Sequence, residues 1–330
     1  MRLVQLKSPS GESHVASVED DRLRVLQECN SVYDLAQAAL QEDTPLHQLA
    51  ESRVSHQVLD YDPIYRLESE WRLMPPFGHP EPARCLVSGT GLTHKASADN
   101  RHAMHDKPAE ISDSMRMHLA GLEGGRPERG RIGVSPEWFY KGCGTILRAH
   151  GEPLEVPPFA GDGGEEPEIA GLYVIDAEGR PRRVGMAISN EFSDHILEKQ
   201  SYLYLAPSKL RTCSMGPELV LDPDFSAVAG TVSIERGGSV IWSQKIASGE
   251  ANMSHTLANL EHHHFKYEAH RRRGDAHIYF FGADAFSFGA GIALQDGDIM
   301  SIAFAGFGRP LRNPIRARTT AEKLVEVLPL

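Results

Sequence analysis

Residues 161–192, GDGGEEPEIAGLYVIDAEGRPRRVGMAISNEF, contain two runs of apolar, β-branched and small residues separated by a turn sequence, and this pattern decides the fold. The turn is DAEGR, residues 176–180, in which Asp and Gly are typical of tight connections between strands. The pattern predicts an antiparallel hairpin centred on this turn. Pairing would then join residues whose numbers sum to about 357, so that Ile175 would face Arg182.

Three glutamates lie on this hairpin, far from its turn. In the same register Glu168 would face Ser189, and Glu166 would face Glu191. Because side chains alternate along a strand, Glu166 and Glu168 project to the same face. The hairpin is therefore expected to bring the carboxylates of Glu166, Glu168 and Glu191 together.

Three carboxylates at one point repel one another unless a cation lies between them. Mg²⁺ prefers oxygen ligands and keeps waters that a substrate can replace, and Mn²⁺ accepts the same ligands. The cluster therefore predicts a metal-dependent enzyme. A solvated acidic loop remains the alternative, because residues 161–166 (GDGGEE) are rich in glycine and acidic side chains.

The composition limits the classes of partner. The chain has 330 residues, of which 41% are hydrophobic and 24% charged, as in a globular protein. Its net charge is −11 without a basic block, which argues against nucleic acid and anionic membranes as partners. No apolar run approaches the ~20 residues that a bilayer requires, and the start, MRLVQLKSPSGESH, lacks the apolar stretch of a signal peptide. These features predict a cytoplasmic protein.

The chain is expected to form two domains, a small N-terminal α/β domain at residues 1–80 and a catalytic domain at residues 81–330. A proline-rich linker at 75–82 separates them. In the second domain, many short strands and few long helices predict an α+β, β-rich fold. Strands are predicted at 2–6, 14–18, 22–26, 171–175, 184–188, 219–221, 227–234, 239–244, 277–281 and 299–304, with helices after Ser31 and at 96–120.

Six motifs, taken in order along the chain, resemble those of the fumarylacetoacetate hydrolase superfamily. They are PEWFYK at 136–141, EPE at 166–168, NE at 190–191, CSMGP at 213–217, DGD at 296–298 and GFGRPLRN at 306–313. The resemblance implies a mixed, barrel-like β-roll core behind a small N-terminal domain. It also implies a divalent ion, Mg²⁺ or a similar one, and a homodimer. The third acid is Glu191 here, where the family usually has Asp, so the ion is expected to be slightly displaced.

One departure from the family pattern bears on the reaction. The hydrolases of the superfamily carry G-x-N-Y-x-x-H-x-x-E, whose histidine and acid activate a water, whereas residues 91–100 here are GLTHKASADN. Ser97 and Asn100 occupy the positions of that dyad, and a neutral hydroxyl is not a general base near neutral pH. The G-x-T and C-S-x-G-P segments are instead similar to those of dehydratases of 2-keto-3-deoxy sugar acids. This resemblance implies a lyase of pentose catabolism that removes water from a 2-keto-3-deoxypentonate, of arabinonate or xylonate type, and yields 2,5-dioxopentanoate.

The resemblance also implies which residues act on the substrate. Lys141 matches the family's lysine and is expected to be catalytic or to orient the substrate, the alternative being a surface lysine on an aromatic strand. His94 is expected to be the base, the alternative being a structural histidine. Residues expected to bind the 2-keto acid are Thr93, Ser97, Lys209 and Ser287. Lys209 stands two residues closer to the G-P step than the family's lysine does.

Two other functions remain open on the sequence. A hydrolase that cleaves a C–C bond of a 2,4-diketo acid would use the same ion with a different base. A non-catalytic protein that binds sugar acids would keep the metal site without turnover.

Overall fold

The computed structural model describes residues 1–94, 112–317 and 320–330. The strands in these residues are β1 (Arg2–Lys7), β2 (Ser13–Glu19), β3 (Arg22–Leu26), β4 (Val54–Asp60), β5 (Arg72–Met74), β6 (Cys85–Gly89), β7 (Phe139–Cys143), β8 (Leu147–Arg148), β9 (Leu154–Val156), β10 (Pro167–Ile175), β11 (Pro181–Asn190), β12 (Cys213–Val220), β13 (Val228–Arg236), β14 (Ser239–Ser248), β15 (Ala276–Phe280), β16 (Ile299–Phe304) and β17 (Leu311–Ala317). The helices are α1 (Val32–Gln41), α2 (Leu46–Ser52), α3 (Tyr61–Tyr65), α4 (Asp113–Gly124), α5 (His195–Gln200), α6 (Leu205–Lys209) and α7 (Leu257–Phe265). Single 3₁₀ turns lie at Pro82–Arg84, Gly144–Ile146, Tyr202–Tyr204, Glu250–Asn252, Glu268–Arg271 and Ser287–Ala290.

Helix α1 illustrates how the local sequence determines the structure of the N-terminal part of the chain. Ser31 caps the helix, since its hydroxyl oxygen accepts a hydrogen bond of 3.0 Å from the backbone N–H of Asp34. Residues at helical spacing along one face, Val32, Leu35, Ala36 and Ala39, are buried. That face belongs to the same core cluster as Leu3 of β1 and Val15 of β2. The predicted cap and helix are confirmed.

The larger sheet has twelve strands and runs through both predicted domains. Ten of its strands follow the order β4-β3-β2-β1-β12-β11-β10-β15-β6-β7, with β5 paired to β1 and β8 to β12. The first strand pairs antiparallel with β12, where Arg2 lies opposite Val220. The boundary near residue 80 is therefore crossed by continuous hydrogen bonding, and the division at 1–80 and 81–330 stays a prediction.

The central hairpin is formed by β10 and β11, joined at the predicted turn. Glu168 lies opposite Ser189, as predicted. A bulge between Leu172 and Tyr173 shifts the register, so Ile175 lies opposite Pro181. The prediction that Ile175 faces Arg182 is wrong, because one extra residue in β11, Val184, moves the pairing near the turn by one position.

A second sheet, with the strand order β14-β13-β16-β17-β9, packs against the first. One apolar cluster joins them, and it includes Ile169 and Met186 of the hairpin with Val232 and Ile302 of the second sheet. Parallel pairs such as β15 with β6 make the larger sheet mixed. The α+β, β-rich class is confirmed. The barrel-like closure is not seen, because both strand orders are open within the described ranges.

The other predicted strands lie where the sequence placed them, most of them longer by one to several residues. The predicted helix at 96–120 overlaps α4, although residues 95–111 lie outside the described ranges. Of the helices in residues 1–94, 112–317 and 320–330, none has the length and apolar character to cross a bilayer.

Candidate metal centre

The three predicted glutamates meet at the open end of the hairpin. Glu166 precedes β10, Glu168 is its second residue, and Glu191 follows β11 directly. The backbone N–H of Glu191 donates to the carbonyl oxygen of Glu166 at 3.0 Å, so these two residues lie opposite each other, as expected. One carboxylate oxygen from each of the three residues lies within 4.8 Å of the other two. All three side chains are buried, so the solvated acidic loop is not the arrangement found.

The donor set fits a hard divalent cation. Glu168 Oε2 accepts a hydrogen bond of 2.7 Å from the backbone N–H of Gly282. Its Oε1 is buried and has no hydrogen-bond partner in the described part of the chain. Burial, and then the negative charges of Glu166 and Glu191, raise the pKa of Glu168 well above its ordinary value. A buried carboxylate oxygen without a partner is costly, and Mg²⁺ or Mn²⁺ between the three carboxylates would remove that cost.

Two lysines supply positive charge to this cluster. Lys141 Nζ, on β7, lies 2.5 Å from Glu191 Oε1 and donates to the backbone oxygens of Phe192 and Lys209 at 2.8 and 2.9 Å. Its side chain is fully buried, so the alternative of a surface lysine does not describe it. Lys209 Nζ, at the end of α6, lies 2.6 Å from Glu166 Oε1 and 2.7 Å from Glu191 Oε2. Lys209 therefore reaches the carboxylates although it stands two residues closer to the G-P step than the family's lysine does.

His195 belongs to the site and was not identified from the sequence. Its Nε2 lies 3.2 Å from Glu166 Oε1, and because a carboxylate only accepts, the ring donates this hydrogen bond. The ring stacks on Phe286 at 4.7 Å between centroids and is buried. Burial acts to lower the pKa of His195, but the hydrogen bond and the charge of Glu166 outweigh it, and the pKa is raised. The sequence feature that could have identified His195 is its position four residues after Glu191, at the start of a helix that Asp194 caps.

Thr93 is next to the cluster. Its hydroxyl donates to the carbonyl oxygen of Phe281 at 2.8 Å, and its Oγ1 fills the space where a Cβ on Gly282 would lie. Gly282 is the residue that donates to Glu168. His94 follows Thr93 and is buried, and burial, then the charge of His118, lower its pKa to about 4.

The other predicted substrate-binding residues have different surroundings. Ser287 donates twice to Glu165, from its backbone N–H at 2.6 Å and from its hydroxyl at 2.8 Å. Glu165 is the neighbour of the cluster along the chain and is fully buried. Ser97 and Asn100 lie outside the described residues.

The chain has the fold of proteins of the fumarylacetoacetate hydrolase superfamily, as the motifs predicted. Three solved structures carry this comparison. A 2-keto-3-deoxy-D-arabinonate dehydratase in its apo form is 20% identical, with a TM-score of 0.71, over 97% of this chain and 100% of that chain. The structure of 2-keto-3-deoxy-D-arabinonate dehydratase complexed with magnesium and 2,5-dioxopentanoate gives the same identity, TM-score and coverage. A 5-carboxymethyl-2-hydroxymuconate delta-isomerase from Mycobacterium smegmatis is 18% identical, with a TM-score of 0.59, over 96% of this chain and 100% of that chain.

No protein-family model matches the sequence, and no curated protein matches it. The similarity at 20% identity defines the fold, and the chemistry has to be argued from the side chains. These are a buried cluster that can hold a cation, two ammonium groups that touch it, and a histidine that fixes one of its carboxylates.

Proposed function

We propose that this protein is a magnesium-dependent hydro-lyase that removes water from a 2-keto-3-deoxypentonate and forms 2,5-dioxopentanoate. The buried cluster of Glu166, Glu168 and Glu191 carries this proposal. The structural similarity to a dehydratase whose complex contains magnesium and 2,5-dioxopentanoate supports the choice of substrate class. The role would lie in the catabolism of pentose sugar acids.

Glu166, Glu168 and Glu191 would hold the Mg²⁺, or Mn²⁺ in its place. The bound ion would supply Lewis acidity to a 2-keto acid, which makes the protons on C3 more acidic. All three ligands are already held by the protein, because Gly282 donates to Glu168, Lys141 contacts Glu191, and His195 donates to Glu166. Preorganised ligands of this kind need little rearrangement when substrate binds.

The overall reaction takes a proton from C3 and the hydroxyl from C4, which leaves a double bond between these carbons. Moving a proton from C5 to C3 then gives an enol between C4 and C5. Transfer of the enol hydroxyl proton to C4 gives the C5 aldehyde, so that one water is lost and no redox partner is needed. We assign Lys141 the role of orienting Glu191, since its three N–H groups face three acceptors. Lys209 is the proposed partner of the substrate's carboxylate, because a buried ammonium at the cluster attracts an anion.

His94 is the proposed acceptor of a substrate proton or hydrogen bond. A pKa of about 4 keeps the ring neutral near pH 7, so that a nitrogen lone pair is available. Thr93, Ser97 and Ser287 remain proposed substrate contacts. We also propose a cytoplasmic homodimer.

The decisive experiment is incubation with two substrates in Mg²⁺, followed by product analysis. We expect 2-keto-3-deoxypentonate to give 2,5-dioxopentanoate, and 2,4-diketo acids to give no pyruvate. Pyruvate from a diketo acid without any semialdehyde from the deoxypentonate would instead identify a C–C hydrolase. Thermal stabilisation by sugar acids without turnover would identify a binding protein.

A further inference from the structure

Two buried histidines, His94 and His118, each have a ring nitrogen without a hydrogen-bond partner among the residues that the structure describes. His118, on α4, lies with Nδ1 at 2.9 Å from the carbonyl oxygen of Leu92. A carbonyl only accepts, so His118 donates from Nδ1, and the Nε2 of the neutral ring bears a lone pair. This Nε2 is buried and has no hydrogen-bond partner among the described residues.

The same argument fixes the tautomer of His94. The Thr93 hydroxyl donates its one proton to the carbonyl oxygen of Phe281 at 2.8 Å. Its Oγ1 therefore accepts from His94 Nδ1, which lies 3.0 Å away. The Nε2 of His94 is then also a bare acceptor, buried and without a partner in the part of the chain that the structure describes.

Both rings are anchored on one short segment, residues 92–94. Leu92 holds His118 through its carbonyl group, and its own backbone lies in the left-handed region, with φ of 57°. A leucine rarely adopts this conformation, and such strain is typical of functional sites. The charge of His118 affects the pKa of His94, so the two rings are near each other.

This segment lies on the Glu168 side of the metal centre. Thr93 packs against Gly282, and Gly282 donates to Glu168 at 2.7 Å. Contacts thus connect Glu168 through Gly282 and Thr93 to His94, which places the histidine pair on this side of the centre. Buried acceptors that lack donors lower stability, so the pair favours a ligand that brings O–H groups.

We propose that His94 and His118 form a subsite that recognises a hydroxyl group of the sugar-acid substrate. The proposal rests on the proposed function and adds the basis of its specificity. Two lone pairs repel a carboxylate and gain nothing from a methylene group, whereas an alcohol donates to them. A site built to bind a hydroxyl rejects analogues that lack it, because its own buried polar groups are then left unpaired.

The test compares two five-carbon acids that differ in their hydroxyl groups, 2-keto-3-deoxypentonate and 2-oxopentanoate. Binding of each is measured by calorimetry in Mg²⁺ to the wild-type protein, His94→Phe, His118→Phe and the control His262→Phe, which changes an exposed histidine. Turnover of the hydroxylated acid during the titration is followed by product analysis. We expect the wild-type protein and the control to prefer the hydroxylated acid by roughly tenfold or more.

In His94→Phe and His118→Phe this preference should fall by a comparable factor, while 2-oxopentanoate binds as well as before or better. If both acids bind and the preference survives in both variants, or is absent from the wild-type protein, the subsite does not exist and the proposed function stands. If neither acid binds the wild-type protein in Mg²⁺, both proposals fail. Thermal melting of each variant shows whether it is folded. Where a variant is not folded, the preference of the wild-type protein for the hydroxylated acid alone decides whether the subsite exists.

Discussion

Lys141 Nζ lies 2.5 Å from Glu191 Oε1, and neither side chain has exposed surface. The pair joins β7 to the end of β11, two strands that are not neighbours in the sheet. One of the three carboxylates at the metal centre is therefore held by the protein itself, through an ion pair in a region of low dielectric constant. Breaking such a pair from one side leaves a buried charge uncompensated.

Replacing Lys141 with Met should lower the free energy of unfolding by about 3–5 kcal/mol, because Glu191 loses one of its two ammonium partners inside the protein. Urea unfolding measures the loss. The matched control is Arg24→Met, which breaks an ion pair of 2.7 Å whose side chains are 43% and 51% exposed. That change should cost at most about 1 kcal/mol. Equal losses in the two variants would contradict the structural role of Lys141.

Two buried glutamates, three positions apart, offer a matched test of the metal site. Glu168→Gln should abolish tight binding of Mn²⁺ and any activity, since an amide is a far weaker ligand than a carboxylate. Glu165→Gln should retain binding, because Glu165 is engaged with Ser287 and is not one of the three clustered glutamates. Calorimetry or the paramagnetic signal of Mn²⁺ measures both affinities. Undiminished Mn²⁺ binding by the Glu168 variant would refute the site.

His195 should act on the metal through Glu166. Its ring donates to Glu166 at 3.2 Å, and partners of this kind typically change metal affinity 10- to 100-fold when they are lost. His195→Phe should therefore weaken Mg²⁺ binding by roughly that factor, whereas His195→Gln, which can still donate, should lose less. Competition with Mn²⁺ gives the affinities. Identical behaviour of the two variants would show that the hydrogen bond is unimportant and that the ring only packs against Phe286.

The position of the glutamates was predictable because it depends on local rules. The turn at 176–180 and strict alternation along β10 place Glu168 opposite Ser189, and the structure has that pair. The apolar pattern alone did not predict the bulge after Leu172, although Gly185 beside it on β11 is a residue type that often marks a bulge. It lies on the turn side of Glu168, so it changes the pairing at Ile175 without moving the carboxylates.

The rest of the site depends on contacts between distant parts of the chain. Lys209 and Glu166 are separated by 43 positions, and their meeting depends on how α6 packs beside the hairpin. The pairing of β1 with β12 is more distant still, and the sequence offered only a proline-rich stretch from which to infer a domain boundary. Periodicity predicts elements, but it does not specify which distant elements meet.

Stability of the metal-free protein should depend on pH through Glu168. Burial and the neighbouring glutamates raise its pKa well above the ordinary value of 4.5, so the folded protein keeps this proton at pH values where the unfolded chain has lost it. The stability that Glu168 contributes is therefore fully present below pH 4.5 and is lost as the pH rises through the raised pKa. Glu168→Gln carries no titrating proton at this position, so it lacks this dependence.

Urea unfolding in a chelator at several pH values between 4.5 and 8 isolates the effect when wild type and Glu168→Gln are compared. The wild-type protein should lose stability relative to the variant as the pH rises, because a third buried negative charge then joins Glu166 and Glu191, whose charges the two lysines already partner. Adding Mg²⁺ at pH 8 should stabilise the wild-type protein and leave the variant nearly unchanged. The difference in unfolding free energy between the two proteins could instead be independent of pH or unaffected by Mg²⁺. Either result would mean that the proton on Glu168 and the cation do not compete for the same buried carboxylates.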